Sequence, residues 1–118
     1  MNDPVQYDTS LPDSMAKRLA RLAANLQRIA VLTASPDSVH AIVGLIDASK
    51  SLFEQSALDL LPTRGADAAY VRNVRDELDR WKSTWDQVHT DPLQRQKLAE
   101  QAREWSVEIL YMSGLVDE

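Results

Sequence analysis

The sequence predicts an all-α fold, an antiparallel up-down-up-down four-helix bundle. Three observations predict it. Apolar and small residues recur in alternating steps of three and four along four segments, the spacing that lines one face of a helix. Breaks of only a few residues separate the segments, and short links between long helices make neighbours antiparallel. No stretch alternates with period two, so no strand is expected.

The first helix is expected from about Pro12 to Ala34, with the seam Met15, Leu19, Leu22, Leu26, Ile29 and with Ser10 or Ser14 as its cap. Ser35-Pro36-Asp37 then forms a stop and restart. Serine suits an N-cap, proline the first helical position, and aspartate the positive end of the new helix dipole. The second helix runs to about Leu60 along Val39, Ile42, Ile46, Ser49, Phe53, Ser56 and Leu60. Leu61-Pro62-Thr63-Arg64-Gly65 interrupts it, because proline lacks a donor and glycine tolerates positive φ. The third helix is expected over about Ala66 to Val88, with Val71, Val74, Leu78, Trp81, Trp85 and Val88 inward. Thr90-Asp91-Pro92 repeats the capping logic. The fourth helix covers about Pro92 to Met112, with the seam Leu98, Ala102, Trp105, Ile109, Met112, and Ser113-Gly114 ends it. Helices of about 22 residues are roughly 33 Å long. The expected division is a flexible N-terminal arm over residues 1–11, the bundle over 12–113 and a C-terminal tail over 114–118.

Two positions break the apolar pattern. Ser49 and Ser56 stand one heptad apart where leucine would fill more space. Small residues facing large ones are a common packing solution, with Trp81 and Phe53 as the bulky neighbours. The other reading is that they leave room for a ligand or partner. A helical serine can bond the carbonyl one turn back, which limits the cost of burying it.

Composition narrows the function classes. The chain has 118 residues, 44% hydrophobic and 26% charged, the balance of one globular domain. It has no cysteine, which excludes thiol catalysis and cysteine-ligated metal. The start of the chain is polar and acidic, unlike a secretory signal, and no segment has the length of apolar sequence that spans a bilayer. A cytoplasmic location with no membrane association is therefore expected. The net charge of -5 disfavours nucleic acid. Lys17, Arg18, Arg21 and Arg28 run against that balance, since no acidic residue lies between Met15 and Ser35. They read as a solvated face, as a docking strip for an acidic partner, or as a weak phosphate contact.

No set of residues assembles into an expected active site. Asp76, Glu77 and Asp79 alternate with Arg72, Arg75, Arg80 and Lys82, the pattern of a salt-bridged outer face. There is no Glu-x-x-His, no His-Glu-x-x-His and no glycine-rich phosphate loop. Asp-x-x-His occurs twice, at Asp37/His40 and Asp86/His89. In an antiparallel bundle these stand at one end, so Asp37, His40, Asp86 and His89 form a candidate metal set. Both histidines follow a seam valine, which points them to the flank. No cofactor is expected. Tryptophans fall on seam positions, and any that leaves the core becomes a contact candidate. Arg95 is expected near Trp85 and able to cover its ring.

The segment Val39-His40-Ala41-Ile42-Val43-Gly44-Leu45 resembles the core of histidine phosphotransfer domains. Those are helical bundles with an exposed phosphorylatable histidine and a glycine four residues later. The resemblance implies that His40 is a phosphoacceptor and that Gly44 opens space beside it. The lysine that usually precedes that glycine is Val43 here, and His40 lies earlier in its helix than in the family. The alternative role for Gly44 is to permit close helix crossing. The leading expectation is a non-enzymatic adaptor or regulatory module that binds a protein partner or associates with itself, as in a homodimer. Phosphotransfer through His40 is the alternative, and metal binding the second alternative.

Overall fold

A computed structural model describes residues 12–114. Among them the chain forms α1 (Asp13–Leu32), a 3-10 turn (Pro36–Ser38), α2 (Val39–Leu60), α3 (Gly65–Ser83), α4 (Trp85–Val88) and α5 (Pro92–Ser113), and no strand. The fold is all-α, with the helices packed on one another. The expected arm lies outside the described residues, as do Ser10 and residues 115–118.

The helix ends follow local chemistry. Ser35 Oγ accepts from the Asp37 amide at 3.3 Å, and Pro36 follows it, but they cap the 3-10 turn rather than α2 directly. Asp91 accepts from the Leu93 amide at 3.0 Å with Pro92 at the first turn of α5. Gly114 closes α5 with φ 73°, the left-handed conformation that glycine adopts without a Cβ clash. The cap expected for α1 differs. Pro12 occupies that place without a side-chain hydrogen bond, and Ser14 is already helical.

The third helix also differs from expectation. It stops at Ser83 instead of continuing to Val88. The Ser83 and Thr84 hydroxyls both donate back to the Arg80 carbonyl, at 2.9 and 3.1 Å. Such local bonds compete with the helical ladder and break it. The chain restarts as α4, which buries Trp85 and Val88 and leaves Trp81 only partly buried.

The other seams are buried: Leu19, Leu22, Leu26 and Ile29 on α1, Ile42, Ile46, Phe53 and Leu60 on α2, Val71, Val74 and Leu78 on α3, and Leu98, Trp105 and Ile109 on α5. Cross-helix bonds fix the directions. Asn25 donates to Ser49 Oγ at 3.0 Å, and Arg18 pairs with Asp59, so α1 and α2 are antiparallel. Glu54–Arg75 at 3.6 Å and Asp47–Lys82 set α2 against α3 in the same sense. Ser106 Oγ donates to the Ala23 carbonyl at 2.9 Å, and Arg95 Nε to the Thr33 carbonyl at 3.2 Å, so α1 and α5 are antiparallel too. Arg64 reaches the Met112 carbonyl at 3.3 Å, tying the start of α3 to the end of α5.

The α1–α5 interface is the most extensive, and α3–α5 is among the slightest. The reason is residue size. Buried Ala16, Ala23 and Ala30 stand seven apart on α1, and buried Ala99, Ser106 and Ser113 stand seven apart on α5. The Ser106–Ala23 bond sets the register, so each small residue of one row falls opposite one of the other. Small facing residues let two backbones approach closely. On the α3–α5 side the chain instead carries Trp105 and the half-buried Tyr70.

The two seam serines have different surroundings. Ser49 accepts from Asn25, whereas buried Ser56 Oγ has no hydrogen-bond partner among the described residues. Ser49→Ala should therefore cost about 1 kcal/mol, since it strands the Asn25 amide. Ser56→Ala should leave stability unchanged or raise it by up to about 1 kcal/mol, because an unpaired buried hydroxyl is removed. Urea unfolding of both variants measures this, and equal losses at the two positions would contradict it.

Candidate functional site

Helix α1 carries the charge that sequence singled out, but the four cations are not equivalent. Lys17 pairs with Asp13 at 3.1 Å in full solvent, and Arg18 pairs with Asp59 of α2. Arg21 and Arg28 are exposed and have no ionic partner among the described residues. They stand two helical turns apart, about 10 Å along the axis.

Between Arg28 and α2 lies an open apolar cleft of about 440 Å³, lined by Gln27, Arg28, Val31, Leu32, Ala41 and Leu45. Val31 is 63% exposed although it is β-branched and apolar. Its position follows from the helix period, because Val31 falls off the α1 seam, whereas Leu45 is half-buried and packs against the core from α2. The Arg18–Asp59 pair bridges α1 and α2 at the opposite end of the two helices.

His40 and Gly44 sit on the outer flank of this cleft, each one residue before a lining residue. Both are exposed and one helical turn apart. A Cβ at Gly44 would meet nothing within 4 Å. Close helix crossing therefore does not explain this glycine.

The four residues of the candidate metal set are not drawn together. Asp37 is exposed in the 3-10 turn, and Asp86 is exposed on α4. Half-buried His89 places Nδ1 2.8 Å from the Trp85 carbonyl oxygen, and its ring stacks at a tilt on Trp85, with centroids 6.2 Å apart. Among the described residues no group of three or more histidine, aspartate and glutamate side chains is placed to hold a metal ion. Arg95, expected over the Trp85 ring, donates instead to the carbonyls of Thr33 and His89, at 3.2 and 2.8 Å. It joins the end of α1 to the α4–α5 link.

Two further concavities are more polar. One of about 300 Å³ lies between the end of α1 and the start of α5, lined in part by Thr33, Arg95, Gln96 and Arg103. The other, about 240 Å³, lies beside Trp81 with Glu77, Arg80 and Thr84. At the α3–α5 boundary, partial burial and then the Glu108 and Glu104 carboxylates push the Tyr70 phenol above its ordinary value of 10.0. That shift favours the neutral form of the phenol. No helix among the described residues is long and apolar enough to cross a membrane.

Sequence reasoning missed the cleft because it followed the inward stripes. The available signal was the pair of large apolar residues off the stripes, Val31 and Leu45. A direct test concerns Gly44. With open space around it, Gly44→Ala should raise stability by about 0.5–1 kcal/mol by lowering the entropy of the unfolded chain. A loss of stability in urea titration would mean that a neighbour occupies that space.

No family model, no curated protein and no solved structure is similar to this chain, so the reading of function rests on its own surfaces.

Proposed function

We propose that this chain is a non-enzymatic interaction module, an adaptor or regulatory domain, whose α1–α2 cleft receives a helix of a protein partner. In this reading the four long helices close as an up-down-up-down bundle, and the module presents its outer faces to other proteins. The observation that carries it is the apolar lining of the cleft, exposed Val31 and Ala41 with half-buried Leu32 and Leu45, between two packed helices. Helix-lined apolar grooves accept the apolar face of an incoming helix. Each apolar anchor so buried contributes roughly 1.5–3 kcal/mol before the cost of association. Arg28 on its bank, with Arg21 two turns earlier on the same helix, favours an acidic partner.

The exposed His40/Gly44 pair supports a second reading, phosphotransfer. The His40 imidazole nitrogen would attack the phosphorus of a partner's aspartyl phosphate. A P–N bond forms as the P–O bond breaks, and the aspartate leaves as carboxylate. Gly44 leaves the approach open, while Val43 supplies no charge to steady the phosphoryl group.

Both readings have direct tests. A photo-crosslinking amino acid at Ala41 should trap protein in the native cell, and the same probe at exposed Asn73 on α3 should not. Val31→Asp should abolish the Ala41 adduct. Equal labelling from both positions, or none from Ala41, would refute the cleft. For phosphotransfer, incubation with a phospho-donor should give an acid-labile label that His40→Gln removes. Absence of label, or label that survives the substitution, rejects that reading.

A further inference from the structure

We propose that the concavity between the end of α1 and the start of α5 binds a small organic phosphate, at a site separate from the α1–α2 cleft. Its volume of about 300 Å³ falls at the lower end of small-molecule sites. Two cations line it, Arg95 and Arg103, and no carboxylate does. The rest of its lining is largely small and apolar, with Ala30, Ala34, Pro92 and Ala99 as a floor.

Arg95 is held ready for an oxyanion. It is half-buried, and it donates from Nε to the Thr33 carbonyl at 3.2 Å and from Nη1 to the His89 carbonyl at 2.8 Å. These two anchors fix the plane of the guanidinium. They leave three of its five N–H groups without an acceptor among the described residues. An arginine fixed in this way loses little further rotamer freedom when it binds a ligand. Arg103 stands eight residues later on α5, about 12 Å along the axis. Long helical side chains lean toward the N-terminus of their helix, which takes Arg103 toward Arg95. Arg103 is exposed and has no ionic partner among the described residues.

The carbonyl end of α1 borders the same space, and bare carbonyls there would repel an anion. Each of these carbonyls already has a donor. Those of Ile29, Val31 and Leu32 accept the amides of Thr33, Ala34 and Ser35 at 3.0, 3.2 and 3.1 Å. The Ala30 carbonyl accepts the Thr33 hydroxyl at 2.7 Å, and the Thr33 carbonyl accepts Arg95. Two acids lie beside the lining residues in sequence. Asp91 accepts from the Leu93 amide at 3.0 Å, and Glu100 accepts from the Gln96 side chain at 3.3 Å. The choice of ligand follows from charge and shape. Two guanidinium groups at different heights match a dianion whose oxygens point in several directions, a phosphomonoester rather than a lone carboxylate. The alanine and proline floor matches an apolar body attached to that phosphate.

The test is the change in backbone amide shifts when the full chain is titrated with phenyl phosphate and, separately, with inorganic phosphate at constant ionic strength. Phenyl phosphate should give saturable shifts at Ala30, Ala34, Gln96 and Ala99. It should bind about fivefold or more tightly than inorganic phosphate, because its ring covers the floor. Arg103→Gln should weaken it roughly tenfold, the loss of a hydrogen-bonded charge. Glu100→Gln should tighten it about two- to threefold, because a negative charge one turn from Arg103 is removed. Arg21→Gln/Arg28→Gln should leave the affinity within about twofold, although it removes more positive charge, since those charges lie outside the site. All four side chains are exposed, so the variants should keep the wild-type helical circular dichroism. Shifts that never saturate, or an equal loss for the Arg103 and Arg21/Arg28 variants, would mean attraction by surface charge alone and overturn the proposal. Equal affinity for the two phosphates overturns it as well, since the floor then takes no part.

Discussion

The structure depends on the close approach of α1 and α5. Two rows of small residues, Ala16, Ala23, Ala30 and Ala99, Ser106, Ser113, meet along a seven-residue repeat. Seven residues are almost two turns, so each row stays on one side of its helix. The first and last helices are thereby joined along their length, although about 60 residues separate them in sequence. Ser106 reinforces the contact by donating to the Ala23 carbonyl, a group already engaged by its own helix. With these two helices locked, the bulky residues are accommodated on the other sides, where α2 and α3 stand against them.

Polar interactions then select register rather than supply the main stabilisation. The Asn25–Ser49 bond, the Glu54–Arg75 and Asp47–Lys82 pairs and the Arg95 bridge each join two elements at a defined height. Their ionic members are at least partly exposed, and exposed pairs contribute about 0–1 kcal/mol each. Displaced by one residue, however, the same helices would lose these contacts and turn seam residues outward. Burial of the apolar seams provides the driving force, and the polar pairs choose among the ways of achieving it.

Much of the helical order was legible in sequence because it is local. The three- and four-residue spacing of Leu19, Leu22, Leu26 and Ile29 fixes a face, and Ser35-Pro36 and Asp91-Pro92 mark restarts whatever the tertiary context. The break at Thr84 was not legible. It arises from two adjacent hydroxyls sharing the Arg80 carbonyl, and serine and threonine also occur within unbroken helices. Trp81, in the last turn of α3, is only partly buried but still packs against the core. The role of Arg95 depended on which carbonyls lay within reach, and that is a property of the assembled fold. Of the candidate surface, the cations of α1 were visible as residues, but their division into paired Lys17 and Arg18 and, among the described residues, Arg21 and Arg28 without an ionic partner required Asp59 to be placed. The alanine and serine rows were present in the sequence at a seven-residue period, hidden because alanine carries little hydrophobic contrast.

The close α1–α5 contact can be tested by enlarging one side chain within it. Ala23 and Ala24 are neighbours on α1, one buried against α5 and the other exposed. Leucine at Ala23 must push the two backbones apart, whereas leucine at Ala24 points into solvent with equal helix propensity. The decisive measurement is the unfolding free energy of the two variants in urea. The account predicts a loss of about 1–3 kcal/mol or more for Ala23→Leu and little change for Ala24→Leu. Equal stability of the two proteins would contradict it.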